Sequence, residues 1–284
     1  MRRRNFFLMG ALAVYGQKPR EWVTATASRD TAPRVGLIPS TFTGGEEMDG
    51  KKIRGLVKPA TLTATLTAAQ VDDMLRLAVE LGGGRRGGLV TAIGREDWVL
   101  ILAAPGADPR LAPGVLRILR ERGLGKRFMV AGMAGLAGVE TLDLATAQRL
   151  EMPVEGRVFS RRNPTGMYKI PRALRECDKV ISIAGLGRTM TNYLGFAEGG
   201  AADDESGRAV DLFGFHPAEY AIGMGRNVIV AGTNATAVDA VGLAVLGEDS
   251  TAAAHLEMAA QRGYGNNDAS SIWTRGAEVE SIVN

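Results

Sequence analysis

The 284-residue sequence contains few of the residues that bind metals or form disulfides: it has one cysteine, Cys177, and two histidines, His216 and His255. A single cysteine excludes an internal disulfide framework, a zinc site built on cysteines and a self-contained iron–sulfur cluster. No run of about 18 or more apolar residues occurs, which excludes a helical membrane-spanning bundle. No serine lies in a nucleophile-elbow motif. These absences leave the cofactor unidentified.

What the chain does contain is typical of a globular protein, with 45% hydrophobic residues, 23% charged residues and 37 glycines. The formal net charge is +3, but residues 1–27 alone hold five basic residues and one acidic residue. The rest of the chain holds 29 basic and 30 acidic residues, a net charge of −1. Because nucleic-acid affinity depends on contacts with phosphates, this balance predicts no nucleic-acid binding.

The N-terminal residues resemble an export signal of the twin-arginine type. Residues 2–8 read Arg-Arg-Arg-Asn-Phe-Phe-Leu, an apolar stretch follows to residue 16, and Ala25-Thr26-Ala27 is a small-x-small cleavage candidate. We therefore expect the twin-arginine machinery to export the protein to the periplasm or another extracytoplasmic space. Membrane contact would arise only through an uncleaved signal segment. The alternative is a basic N-terminus on a cytoplasmic protein.

The remaining pattern predicts an α/β fold. Residues 28–65 read as an irregular lead with one short strand at 34–38, and Thr67 with Gln70 forms a capping box that begins a helix. An apolar strand at 98–103, a helix and a second strand then form a βαβ unit, which implies parallel strands. We expect a mainly parallel central sheet with helices on both faces and glycine-rich loops at the strand ends. The other predicted elements are helices at 168–177, 235–246 and 251–262, and strands at 179–184, 227–231 and 270–274.

The C-terminal third resembles a known family. Residues 227–247 combine a strand ending in Ala-Gly, a polar turn and an Ala-Val-Asp-Ala helix, and residues 259–268 place Gly-x-Gly and an aspartate after a helix. Both blocks resemble domain-of-unknown-function family 362, and the similarity extends to the predicted elements at 66–84 and 168–184. The resemblance implies one α/β domain over residues 66–284. Many members of that family also carry a twin-arginine signal.

The chain departs from that family at its polar motifs. The family usually has a Lys-Pro-Asn-like motif where residues 103–106 read Ala-Ala-Pro-Gly. It usually has Lys-x-His and Lys-Asn segments where residues 185–195 hold Arg188 and no histidine. Arg188 can replace a lysine as a cation but not as a proton carrier near neutral pH. The ferredoxin-like cysteine insertion of some relatives is absent.

Glycine-rich turns predict where a ligand would bind. Such turns follow predicted strands at 132–138, 185–187 and 232–234. In open α/β sheets, ligands bind beyond the carboxyl ends of the strands, and glycine lets backbone N–H groups approach an anion. The same glycines also suit tight turns and close helix packing. The candidate ligand-binding residues are Gly232, Thr233, Asn234, Arg188, Thr191, Asn192 and Asp239.

Asp239 is the most informative candidate because it lies among apolar residues of a predicted buried helix. A buried carboxylate needs a partner, a metal or a raised pKa. It either serves a ligand site or caps a neighbouring loop through backbone N–H groups. An active pocket would bring Asp239 and Arg188 to one polar cavity. A scaffold would bury Asp239 against backbone donors and leave Arg188 in solvent.

The other titratable residues form no standard site. His216 with Asp211 and Glu219 matches no metal-ligand spacing, so we predict no metal. Cys177 has no evident histidine partner, and His255 is expected on a helix surface. The acidic run at 203–205 reads as a solvated loop.

The sequence therefore favours an exported α/β protein that binds a small anionic ligand or cofactor at the strand ends, with any redox chemistry lent by a partner. The alternative is a non-catalytic accessory or binding protein with a degenerate site.

Overall fold

A computed structural model describes residues 33–48, 51–83, 88–133, 135–197 and 202–283. The predicted signal segment, residues 1–27, lies outside the described residues. The strands are β1 (Arg34–Pro39), β2 (Gly44–Met48), β3 (Lys51–Arg54), β4 (Trp98–Ala103), β5 (Arg127–Ala131), β6 (Glu140–Leu142), β7 (Arg149–Pro153), β8 (Met167–Pro171), β9 (Lys179–Gly185), β10 (Tyr220–Gly225), β11 (Val228–Gly232) and β12 (Trp273–Gly276).

The α-helices are α1 (Ala68–Leu81), α2 (Gly88–Ala92), α3 (Leu111–Glu121), α4 (Arg172–Glu176), α5 (Glu205–Phe213), α6 (Ala235–Leu246), α7 (Ala254–Gln261) and α8 (Glu280–Val283). Short 3₁₀ helices lie at Thr191–Phe196, Ala202–Asp204, Ser250–Ala252 and Ala269–Ser271. None of the helices in the described ranges is long and apolar enough to cross a membrane.

Eight strands form the central sheet in the order β12-β1-β11-β10-β9-β4-β5-β6. Five of the seven neighbouring pairs in this sheet are parallel, and β11 alone runs against its neighbours β1 and β10. The pairs β2–β3 and β7–β8 form separate two-stranded sheets. The predicted α/β fold with a mainly parallel sheet is confirmed.

Helices cover both faces of the sheet because the central strands are apolar on both sides. In β4, Leu100 and Leu102 belong to the core shared with α5, α6 and α7, whereas Val99 and Ile101 belong to the core shared with α1 and α3. Strands buried on both faces are typical of parallel sheets flanked by helices.

Several local predictions agree with the structure, and two differ. Thr67 and Gln70 form the capping box at the start of α1. Residues 168–177, however, form β8 and α4 rather than one helix. Tyr168 and Ile170 are buried while Met167 and Lys169 are exposed, which is a strand alternation, and Pro171 cannot donate a helical hydrogen bond. In the described part of the lead, residues 33–48 and 51–65, there are three strands instead of one, and β1 lies inside the central sheet.

Tyr220 ties the sheet to the end of α1. Its buried hydroxyl donates to the carbonyl oxygen of Gly82 at 2.9 Å, and burial raises the pKa of Tyr220, which keeps the hydroxyl a neutral donor. We expect Tyr220→Phe to lower the free energy of unfolding by about 1–2 kcal/mol, because the buried carbonyl loses its donor. Urea unfolding followed by circular dichroism measures this change, and an unaltered midpoint would contradict the assigned bond.

Candidate functional site

A cavity of about 240 Å³ lies at the carboxyl ends of β4, β5 and β9. It is lined by residues 103–109 after β4, by Ala112 on α3, by Gly132 and Met133 after β5, and by Ile183 on β9. The chain leaves β4, forms α3 on one face of the sheet and returns as β5. The neighbour of β4 in the other direction is β9, and the chain after β9 forms α5 on the opposite face. Ligands of open α/β sheets bind at such a switch point.

The walls of this cavity are largely backbone and small side chains. The N–H of Ala104 donates to the carbonyl oxygen of Ile183 at 2.8 Å, so the loop leaves β4 while still joined to β9. Gly132 has a φ of +81°, and a Cβ added there would lie 2.0 Å from the carbonyl oxygen of Ala103. Only glycine permits this approach between the ends of β4 and β5.

The acidic group in the cavity wall is already neutralised. Asp108 accepts from the backbone N–H of Arg110 at 2.9 Å and from its Nε at 2.8 Å. The hydrogen bonds from Arg110 outweigh burial and lower the pKa of Asp108, so it remains a carboxylate beside a guanidinium. Among the described residues that line the cavity, Asp108 alone is titratable. The cavity wall therefore offers no evident acid or base near neutral pH.

Asp239 is a loop anchor in this structure. Its side chain on α6 is fully buried and accepts from the N–H of Thr189 at 2.7 Å, from the Oγ1 of Thr189 at 2.8 Å and from the N–H of Met190 at 2.8 Å. Burial raises the pKa of Asp239, and its hydrogen bonds from Thr189 and Met190 oppose that rise. Of the two roles predicted for Asp239, the contacts match the capping of a neighbouring loop.

The candidates after β9 divide into structural and accessible residues. Asn192 is buried, and its Nδ2 donates to the carbonyl oxygens of Leu102 at 3.0 Å and Ile183 at 3.2 Å, which joins the ends of β4 and β9. Thr191 donates its hydroxyl to the carbonyl oxygen of Arg188 at 3.2 Å. The Arg188 side chain is exposed. Of these three candidates, Arg188 is therefore the one placed to contact a ligand.

Arg188 lies over the face of β9 that borders the cavity. Its Cδ is 4.0 Å from the position that a Cβ on Gly185 would occupy. Because side chains alternate along a strand, Gly185 faces the same side as Ile183, which lines the cavity. The Arg188 stem therefore extends across the carboxyl end of β9 on the cavity side.

Gly232, Thr233 and Asn234 lie at the end of the strands that is opposite the cavity. They follow β11, which is antiparallel to β10, while β10 is parallel to β9. Asn234 accepts from the N–H of Ala237 at 2.9 Å and donates to the carbonyl oxygen of Tyr264 at 3.0 Å. The structure therefore does not bring this turn together with Arg188, and Asn234 serves as the cap of α6.

The sequence analysis did not predict one polar cluster, which is formed by Cys177, His216 and Glu219. Cys177 Sγ lies 3.7 Å from His216 Nδ1, and His216 Nε2 lies 3.6 Å from Glu219 Oε1. Cys177 lies two residues before β9 and Glu219 lies directly before β10, so the parallel pairing of these strands brings both residues to the same end of the sheet. Both Cys177 and His216 are buried, at 0% and 1% exposure. The cluster lies at the amino ends of β9 and β10, whereas the cavity lies at the carboxyl ends. Within the described ranges, no group of three such residues could hold a metal ion.

The acidic residues near α5 anchor another loop. Asp204 is buried rather than solvated, and it accepts from the hydroxyl of Ser160 at 2.5 Å. Asp211, which the sequence places near His216, is fully buried and accepts instead from the N–H groups of Phe159 at 2.9 Å and Ser160 at 3.0 Å. The seven-residue spacing of Asp204 and Asp211, about two helical turns, is the signal in the sequence that could have placed both carboxylates on one side of a helix.

Comparisons with known proteins leave the chain without an assigned relative. No protein-family model, no curated protein and no solved structure matches it. The resemblance to domain-of-unknown-function family 362 therefore stays a prediction.

Proposed function

We propose that the protein is a non-catalytic binding protein that takes a small anionic ligand in the cavity beyond β4 and β9. The observation that carries the proposal is the position of this cavity, at the switch point of the sheet and beside the Arg188 stem. Its volume of about 240 Å³ is below the ~300–1,000 Å³ of sites for drug-sized molecules. The ligand is therefore small.

The charges around the cavity support an anion. The Asp108 carboxylate is offset by Arg110, and we assign the anion to the exposed Arg188, whose stem approaches Gly185 at the carboxyl end of β9. A guanidinium binds carboxylate or phosphate through paired, charge-assisted hydrogen bonds. Among the described lining residues Asp108 alone is titratable, and it is held by Arg110, which supports binding without catalysis.

The place of action is proposed from the sequence. The arginine-rich segment before residue 27 and the resemblance to domain-of-unknown-function family 362 both support export by the twin-arginine route. A binding protein outside the cytoplasm would deliver its ligand to a partner or hold it there.

The test compares a dianion with its uncharged counterpart. We expect isothermal titration calorimetry to detect binding of succinate or inorganic phosphate, and no binding of succinamide. Arg188→Gln is expected to weaken the binding of succinate by about 10- to 100-fold, because one charge-assisted hydrogen bond contributes about 1.5–3 kcal/mol. Arg95→Gln, which removes an exposed charge just before β4, is the matched control and should bind as the wild type does.

A second pair of variants tests the cavity itself. Ala104→Met places a longer side chain in the cavity wall, and Ala145→Met makes the same change at an exposed position after β6. We expect the first to abolish binding and the second to leave it unchanged. Equal binding of succinate and succinamide, or no binding of either anion, would overturn the proposed function.

A further inference from the structure

The backbone directly after Arg188 is held by one buried carboxylate. Asp239 Oδ1 accepts from the N–H and the hydroxyl of Thr189, and Asp239 Oδ2 accepts from the N–H of Met190. All three donors belong to the two residues that follow Arg188. Asp239 is fully buried, so it reaches no ligand itself.

The backbone before Arg188 is held by the same helix. A Cβ added to Gly242 on α6 would lie 2.5 Å from the backbone nitrogen of Gly187, so the loop and the helix backbone are in direct contact. Gly187 has a φ of +69°, which fixes a tight turn, and the N–H of Arg188 donates to the carbonyl oxygen of Gly185 at 3.2 Å. Contacts with α6 therefore fix the position and direction of residues 185–190 at the end of β9.

The helix α7 places His255 beside Asp239. Burial lowers the pKa of His255, and the charge of Asp239 opposes that change. His255 is half-buried, whereas the sequence analysis expected it on the helix surface. Near neutral pH His255 is uncharged, so the loop is held by α6.

We propose that Asp239 is a positioning residue for Arg188, acting on the bound anion only through the backbone of Thr189 and Met190. This inference rests on the proposed function, because it assigns Arg188 to the ligand. A guanidinium held in place before the ligand arrives loses less conformational freedom on binding, and affinity rises accordingly. This gives a physical role to Asp239, which lies in the Ala-Val-Asp-Ala block that resembles domain-of-unknown-function family 362.

The chain offers a matched control for this role. Asp211 is also fully buried, and it too accepts from two successive backbone N–H groups and one hydroxyl, those of Phe159, Ser160 and Tyr168. It anchors a different loop, which follows β7. Asp211 additionally pairs with Arg262, at 3.4 Å. Asp239→Asn and Asp211→Asn therefore make the same chemical change at two buried loop anchors, with Arg188 attached to only one of the two loops.

The experiment is a double-mutant cycle with succinate as the probe. We expect Asp239→Asn to raise the Kd of the folded protein at least 10-fold and Asp211→Asn to leave it within 2-fold of the wild type. In an Arg188→Gln background, Asp239→Asn should change the Kd less than 2-fold, since its effect passes through Arg188. An Asp239→Asn protein that binds like the wild type, or two variants with equal losses, would overturn the positioning role.

Two further measurements keep the result decisive. Thr189→Val deletes only the hydroxyl bonded to Asp239, and it should raise the Kd about 2- to 5-fold if Asp239→Asn does not fold. Hydrogen exchange needs no ligand: the amides of Thr189 and Met190 should be strongly protected in the wild type and lose at least 100-fold of their protection in Asp239→Asn, with β4 unaffected. Wild-type protein that fails to bind succinate overturns the proposed function, whereas unprotected Thr189 and Met190 amides overturn the positioning role alone.

Discussion

Gly36→Ala is expected to lower the free energy of unfolding by about 3 kcal/mol or more, because the added methyl group meets backbone atoms of α1. Gly36 lies within β1, between β11 and β12, where α1 crosses the sheet. A Cβ at this position would lie 2.3 Å from the carbonyl oxygen of Ala78 and 2.8 Å from the backbone nitrogen of Gly82. Both neighbours are backbone atoms, so no side-chain rotation relieves the clash, and α1 must move off the sheet.

Urea unfolding followed by circular dichroism measures this loss. Gly195→Ala is the control: its added Cβ would meet only the Leu144 side chain, at 3.6 Å, which is an ordinary contact. We expect this control to change the free energy of unfolding by less than about 1 kcal/mol. Equal midpoints for the two variants would show that α1 does not approach β1 as closely as the structure has it.

The elements with strong local signals could be predicted from the sequence. The helix α1 combines a capping box with apolar residues at helical spacing, and β4 is a continuous apolar run that begins after Asp97 and ends before Pro105. Both signals are carried by neighbouring residues, so distant parts of the chain do not alter them. The helices on both faces followed from the same observation, because a strand such as β4 has no polar side to turn towards water.

The direction of β11 is the feature that the sequence analysis lacked. The strand β10 contains Gly223 and Gly225 and was not recognised, so the hairpin to β11 was not recognised either. The two residues between these strands, Arg226 and Asn227, have φ values of 48° and 56°. Two successive positive φ angles define a type I′ turn, which joins antiparallel strands. Without that turn, the glycine-rich residues after β11 were grouped with those after β9.

The sequence indicated that Asp239 needs a partner, but it did not indicate which residues come together at the candidate site. The burial of Asp239 among apolar residues correctly indicated that it needs a partner, yet its partners Thr189 and Met190 lie about 50 residues earlier in the chain. The cavity itself carries no motif, because most of its lining residues are alanine, glycine and proline. Such a site becomes visible only when the order of the strands is known.

Raising the pH from 7 to 10 is expected to destabilise the protein by a few kcal/mol through His216. Burial alone would lower the pKa of His216, but hydrogen bonds and charges from Cys177 and Glu219 raise it to about 10. In the unfolded chain the pKa is about 6.5, so below that pH both states hold the proton and the stabilisation is complete. Between about 6.5 and 10 only the folded state holds it, and stability falls by up to ~1.4 kcal/mol per pH unit.

The measurement is urea unfolding at several pH values between 6 and 10, in the wild type and in Glu219→Gln. Glu219 Oε1 lies 3.6 Å from His216 Nε2, and its other oxygen accepts from the N–H of Val180 at 2.8 Å, a bond that glutamine can keep. We expect the variant to lose most of the pH dependence.

Two controls separate His216 from its neighbours. His255→Gln should leave the slope above pH 7 unchanged, because burial lowers the pKa of His255 and the residue is neutral throughout that range. Cys177→Ala should retain a slope, since Glu219 still faces the imidazolium. A wild-type slope as shallow as that of Glu219→Gln would show that His216 is neutral in the folded protein. The segments before β9 and β10 would then be joined by packing and not by a buried charge.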